Sequence, residues 1–182
     1  TRYSFLDRFL QDCLGWSDSG SVRVETFERG DRTDYECGNP RQMILEAKRA
    51  SAPFTIPPKG IRNTNRHKIG SLAKLDKNLG EAIDQAMSYG QSRGVQFAAV
   101  ANGPQLFLFL ANRLDGNSPM DGDALAFSGY EEIDKHFSQI FEYLNPDGIA
   151  ERRLAGFLES PVPSGLPPKL SSVCFDYFEY KY

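Results

Sequence analysis

The chain has 182 residues, 40% hydrophobic and 25% charged, with a formal net charge of −3. That length and balance allow a soluble domain with its own core, and the charge excludes a globally basic nucleic-acid coat. No apolar run is long enough to span a bilayer, no secretory leader is visible, and three scattered cysteines with two histidines (His67, His136) argue against a structural zinc site.

The cysteines are Cys13, Cys37 and Cys174, and an odd, sparse set suits reduced thiols in a cytoplasm. The first residue is Thr1, as expected of a trimmed chain or of a piece of a longer one.

In chain order, Phe5, Leu6, Phe9, Leu10, Cys13 and Leu14 recur at helical spacing. Ser4 is placed to cap this helix, with Asp7 three residues on, and Gly15 ends it, with Trp16 packing back. Val22, Val24 and Phe27 alternate with polar residues, which predicts a strand over 22–28. Thr33 to Cys37 and Arg41 to Lys48 read as two further strands, joined at Gly38-Asn39-Pro40 as a hairpin.

Residues 50–71 are rich in Pro, Gly, Asn and basic side chains and read as one long loop; Pro53, Pro57 and Pro58 exclude a regular helix there. Leu79, Ala82, Ile83, Ala86 and Met87 then make one helical stripe that stops near Gly94. Val95 to Ala101 is a buried strand, Asn102-Gly103 a turn, and Gln105 to Leu110 another strand.

Asp115 to Asp123 reads as a polar loop. Ser128 is expected to cap a helix with Ile133, Phe137, Ile140, Phe141 and Leu144 as its buried face. Asn145-Pro146-Asp147-Gly148 breaks it, and a shorter helix follows with Leu154, Phe157 and Leu158 apolar. The Pro-rich stretch from 160 reads as a linker, and the aromatic end from Val173 to Tyr182 as strand-like. The predicted order α-β-β-β-α-β-β-α-α suits an α/β fold, a mixed sheet with helices on both faces. A domain over 1–159 is followed by a tail over 160–182.

Chemistry concentrates between residues 34 and 48. Alternation along a strand sends Glu46 and Lys48 to one face and Leu45 and Ala47 to the other. Asp34, on the neighbouring strand, can reach the same face. Two carboxylates there make a hard oxygen site for Mg²⁺, with Mn²⁺ as a substitute, and the main-chain oxygen of Ala47 is a further candidate ligand. Such an ion polarises a phosphate and lowers the pKa of a bound water, and Lys48 is placed to orient the water or stabilise developing charge. Against this, Glu-x-Lys is common by chance on a solvated strand face.

Two other features bear on that site. No acid stands between Glu46 and Asp76, while Arg49, Lys59, Arg62, Arg66, Lys68 and Lys74 do, with His67 among them. This is either a solvated basic loop or a surface that contacts a phosphate backbone. Gln85 and Tyr89, four apart, share a face of the next helix, either as its polar edge or as part of the site.

Taken together, Asp34, Glu46-Ala47-Lys48 and Gln85-Ala-Met-Ser-Tyr89 resemble the PD-(D/E)xK nuclease superfamily, and most of all the N-terminal nuclease domain of type I restriction-enzyme motor subunits. Leu14-Gly15-Trp16 and the strands at 95–110 extend the likeness to roughly residues 3 to 145. The family's Pro-Asp is Thr33-Asp34 here, and the 50–71 loop is longer than a minimal fold needs.

The resemblance implies a restriction-endonuclease-like core, Asp34 and Glu46 as metal ligands, Lys48 as the catalytic lysine and Gln85 with Tyr89 as the helix motif. It marks Glu25 as a further candidate acid near the metal. It also implies a Mg²⁺-dependent endonuclease acting on DNA, a prokaryotic cytoplasmic setting, other domains in a longer chain, and a homodimer for double-strand cutting. The alternatives are an idle nucleic-acid-binding or assembly module of the same fold, and a nuclease acting on RNA.

Overall fold

The computed structural model describes residues 2–16, 21–28 and 30–160. The expected tail therefore lies outside the described residues from 161 on. Strands β1 (Val22–Glu28) and β2 (Asp31–Cys37) form an antiparallel hairpin, and β2 pairs antiparallel with β3 (Met43–Ala47). β3 runs parallel to β5 (Phe97–Ala101), which continues antiparallel through β6 (Leu106–Leu110) and β7 (Asp123–Phe127) to β4 (Arg66–Lys68). The result is an α/β architecture with an open, mixed, seven-stranded sheet of order β1-β2-β3-β5-β6-β7-β4. β3 and β5, at its centre, are buried along their whole length, so they read as continuous apolar runs.

Helices cover both faces. On one lie α1 (Arg2–Arg8), which continues as a π-helical turn over Phe9–Cys13, and α4 (Tyr130–Lys135), α5 (Phe137–Leu144), α6 (Pro146–Ala150) and α7 (Arg153–Glu159). They bury Leu6, Leu10, Ile140 and Leu154 against Tyr35, Leu45, Ala99 and Leu108. Trp16 closes this side, its Nε1 donating to Leu144 O at 2.8 Å. Gly15, at φ +82°, makes the left-handed turn that releases the chain from α1.

The other face carries α2 (Ile69–Leu75) and α3 (Lys77–Ser92). Leu79, Ala82, Ile83 and Ala86 of α3 pack on Ala98, Val100, Phe107 and Phe109. Asp76 caps α3, accepting from Leu79 N at 3.0 Å. Gly90 lets the helix lie close to the sheet, since a Cβ there would fall 2.4 Å from that of Ala111.

Several expectations change. β4, α2 and β7 are additional elements, in stretches that read as loop or carried no assigned element. α1 begins at Arg2, so Ser4 lies inside it. Gly129, with no side-chain cap bond, precedes α4, and Ser128 does not cap it. The helix expected after residue 128 divides at His136, and Phe141 is 43% exposed. Among the described residues no helix is long and apolar enough to cross a membrane.

Candidate active site

The β2–β3 ladder ends at Tyr35↔Leu45. Beyond it the Asp34 side chain takes over the role of a ladder partner, its Oδ2 accepting from Ala47 N at 2.8 Å. The carboxylate is thereby fixed to the strand that carries Glu46 and Lys48. On β3, Leu45 and Ala47 enter the core under α1, and alternation turns Glu46 and Lys48 toward α3. The backbone of Lys48 is held one step past the strand by its N–H bond to Ala101 O, 2.7 Å.

Lys48 Nζ donates to Glu46 Oε1 at 2.8 Å and to Gln85 Oε1 at 2.7 Å. Gln85 Nε2 in turn donates to the Tyr89 hydroxyl at 3.0 Å. Asp34, Glu46, Lys48, Gln85 and Tyr89, from three elements, thus form one connected constellation. The polarity of that chain is dictated by chemistry. An ammonium only donates, so the Gln85 amide must present its oxygen to Lys48 and its nitrogen to an acceptor, which Tyr89 supplies.

The electrostatics of Glu46 mark it as the centre. Its side chain is 5% exposed. Burial raises its pKa above the usual carboxylate range; the Lys48 hydrogen bond opposes this, and the Asp34 carboxyl, within hydrogen-bonding reach, adds to the rise. Oε1 is used by Lys48, but Oε2 is buried without a hydrogen-bond partner. A buried acceptor without a hydrogen bond beside a second carboxylate is costly; a proton shared with Asp34 relieves it, and so does a divalent cation bound by both. Mg²⁺ or Mn²⁺ therefore fits this donor set, with Ala47 O as a candidate main-chain ligand.

Other expected site residues fall elsewhere. Glu25 stands across from Asp34 with φ 53°, and its carboxylate pairs with Arg32. Among the described residues no three His, Cys, Asp or Glu side chains group to hold a metal, so Glu25 does not complete a three-carboxylate cage.

The basic segment is not one surface. β4, with Arg66 and Lys68, is four strands from β3, about 19 Å at the usual strand spacing. Arg66, expected at a phosphate-contacting surface, is 6% exposed, and its guanidinium is committed to Asp123 and the end of α7. Lys68 pairs with Asp123 at 2.6 Å. His67 is buried, which lowers its pKa. Arg49, Lys59, Arg62 and Lys74 are exposed, and Arg49 directly follows Lys48. The loop that carries Lys59 is strapped to the sheet through Phe54, whose N–H and C=O both bond Gln105.

Two residues beyond the expected set touch this network. Arg93, the C-cap of α3, places its guanidinium 5.4 Å over the Tyr89 ring. It pairs at 2.9 Å with Glu36, which is fully buried on β2. Both were within reach of periodicity: Glu36 is two residues from Asp34 on a strand, and Arg93 four from Tyr89. Compared with known proteins, the chain matches no family model, no curated protein and no solved structure.

Proposed function

We propose that this chain is a Mg²⁺-dependent endonuclease domain that hydrolyses DNA phosphodiester bonds. The observation that carries the proposal is the buried, unpartnered Glu46 Oε2 beside Asp34, with Lys48 anchored next to it. Mn²⁺ serves in place of Mg²⁺. In this reading the fold is a restriction-endonuclease-like core, in keeping with the resemblance of its motif residues to the PD-(D/E)xK superfamily. A place within a larger prokaryotic restriction or anti-phage protein, and pairing of two copies for double-strand cuts, belong to the same proposal.

Asp34 and Glu46 would hold the ion, which when bound would polarise the phosphate and lower the pKa of its water. Lys48 lies against Glu46 Oε1, where its ammonium orients the attacking water and offsets charge growing on the phosphate. Gln85 keeps that ammonium from swinging into solvent. Asp34 also spends one oxygen on Ala47 N–H, which fixes the ligand's direction before any ion arrives.

One observation favours a second reading, an idle nucleic-acid-binding module: only two carboxylates converge, not three. The deciding experiment incubates the protein with plasmid, linear and single-stranded DNA and with matched RNA, each with Mg²⁺, Mn²⁺ or EDTA. Metal-dependent DNA cutting that Glu46→Gln and Lys48→Ala abolish supports the nuclease. Preference for RNA transfers the activity to RNA. Binding without cutting, and no calorimetric heat with Mn²⁺, leaves the idle module.

A further inference from the structure

We infer that the buried Glu36–Arg93 pair is a positioning device for the candidate site: it holds the Tyr89 ring, and through it the Gln85 amide that grips Lys48. The consequence for catalysis rests on the nuclease reading; the positioning itself rests on the contacts alone. Gln85, Tyr89 and Arg93 follow one another at four-residue steps, so they line one face of α3 and its cap. Asp34 and Glu36 are alternate residues of β2 and share a sheet face. β2 therefore reaches the network at two points. Asp34 lies beside Glu46 at one point, and Glu36 bonds Arg93 at the other.

The Arg93 side chain is 2% exposed and that of Glu36 0%. Nε of Arg93 bonds Glu36 Oε1 at 2.9 Å and Nη2 donates to Asp31 O at 3.2 Å, which fixes the guanidinium plane from two sides. That plane bears on the Tyr89 ring. From there the contacts run without a gap, Tyr89 hydroxyl to Gln85 amide to Lys48 ammonium to Glu46.

Charge neutralisation does not explain the pair. Glu36 Oε2 is already met by Arg41 at 2.9 Å and Arg23 at 3.4 Å, so the carboxylate has counter-ions without Arg93. A buried ion pair is also a poor device for stability, since apolar residues of similar volume often serve as well. What a guanidinium adds is a rigid plane that can both bond a carboxylate and lie on a ring, and lysine lacks it.

The test uses Arg93→Lys, with Arg41→Lys as its control. Both keep a positive charge beside Glu36, but only Arg93 touches Tyr89. The first readout is the side-chain amide resonances of Gln85 in the metal-free protein, identified by their loss in Gln85→Ala. Arg93→Lys is expected to shift them, and Arg41→Lys to leave them in place. The second readout is DNA cleavage. Arg93→Lys should lower kcat about tenfold with KM unchanged, the rate equivalent of one hydrogen bond lost from the transition state. Tyr89→Phe should do the same, and the double variant should be no worse than either alone.

The inference is overturned if Arg93→Lys leaves the Gln85 resonances at their wild-type positions, or if Arg41→Lys moves them equally. If Arg93→Lys does not fold, Tyr89→Leu reads the coupling from the other end. It must shift the Nε–H resonance of Arg93, and an unmoved resonance refutes the contact. The amide readout needs neither metal nor DNA. A protein that cuts nothing but shows the coupled shift therefore counts against the nuclease reading and leaves the positioning intact.

Discussion

On the central strand β3 Glu46 pairs with Lys48; at the β4 edge of the sheet Arg66 pairs with Asp123. Both pairs are buried on at least one side, yet they are finished differently. Arg66 Nε meets Asp123 at 2.5 Å, its Nη1 donates to Phe157 O, its Nη2 to Leu158 O and Ser160 O, and its plane covers the Phe157 ring. Lys68 Nζ lies 2.6 Å from the remaining Asp123 oxygen, an ion pair at an oxygen that, like Glu46 Oε2, has no hydrogen bond. Both Asp123 oxygens thus face a cation, and the cluster anchors the C-terminal helix. Glu46 has one oxygen satisfied and one buried without a hydrogen-bond partner, next to a second carboxylate. The difference points to where chemistry is to be sought: both Asp123 oxygens face cations, whereas Glu46 has one paired oxygen and a second carboxylate beside it, an arrangement that the nuclease reading completes with a cation.

The largest effect that can break this contrast is on cutting. Glu46→Gln keeps the shape and removes the charge that recruits the ion. Cleavage should fall by about a thousandfold or more, since metal stabilisation supplies several kcal/mol and each 1.36 kcal/mol is tenfold. On the nuclease reading Mg²⁺ or Mn²⁺ raises the melting temperature of the wild type, and the same variant should lose that rise. A retained rise would place the ion elsewhere.

Next in size is the Arg66 cluster. Arg66→Ala takes one of two cations from buried Asp123 and frees three carbonyls at the end of α7. It should cost about 3–5 kcal/mol in urea unfolding. The variant should still show the metal-induced gain in melting temperature, because β4 is remote from β3. Loss of that gain in a folded Arg66→Ala protein would dissolve the distinction between the two clusters.

A smaller effect comes from Gln85→Ala. It removes one of two bonds to Lys48 and leaves the metal ligands in place. Cleavage should drop about five- to tenfold, the worth of a single net hydrogen bond, with metal affinity by calorimetry unchanged. A thousandfold loss would make Gln85 a member of the catalytic core instead of a support for it.

The two clusters also differ in how much of them the sequence discloses. Asp34, Glu46, Lys48, Gln85 and Tyr89 stand on elements with clean periods, two along the strands and four along the helix, so shared faces follow from spacing alone. β4 is Arg66-His67-Lys68, with no apolar residue to announce a strand. Only its pairing with β7, more than fifty residues away, makes it one. β7 starts at a buried aspartate and alternates through alanines, a weak pattern next to a polar loop. The charge of Arg66 suggests solvent, and the partners that bury it lie 57 and 91 to 94 residues on. Local patterns carry local geometry; a network closed by distant chain leaves no local trace.

The smallest effect is a slope with pH, and it bears on the same contrast. Burial raises the Glu46 pKa, Lys48 opposes and Asp34 reinforces. For a carboxyl raised in the folded state, stabilisation is full below the unfolded value, about 4.5, and is lost as pH rises through the folded value. Without metal, wild type should therefore lose stability relative to Glu46→Gln as pH rises above that point, and then level off. Added Mg²⁺ competes with the proton for the same oxygens, so its gain in melting temperature should grow over the same window. Arg66→Ala, compared with wild type in the same way, leaves Glu46 and its neighbours in place, so the metal gain should keep its pH dependence. Melting curves from pH 4 to 8, with Mg²⁺ and with EDTA, measure both trends. A stability difference between wild type and Glu46→Gln that is flat across the range removes Glu46 as the poised group. A slope that vanishes on addition of Mg²⁺ is the signature of a carboxylate pair whose missing partner is a cation.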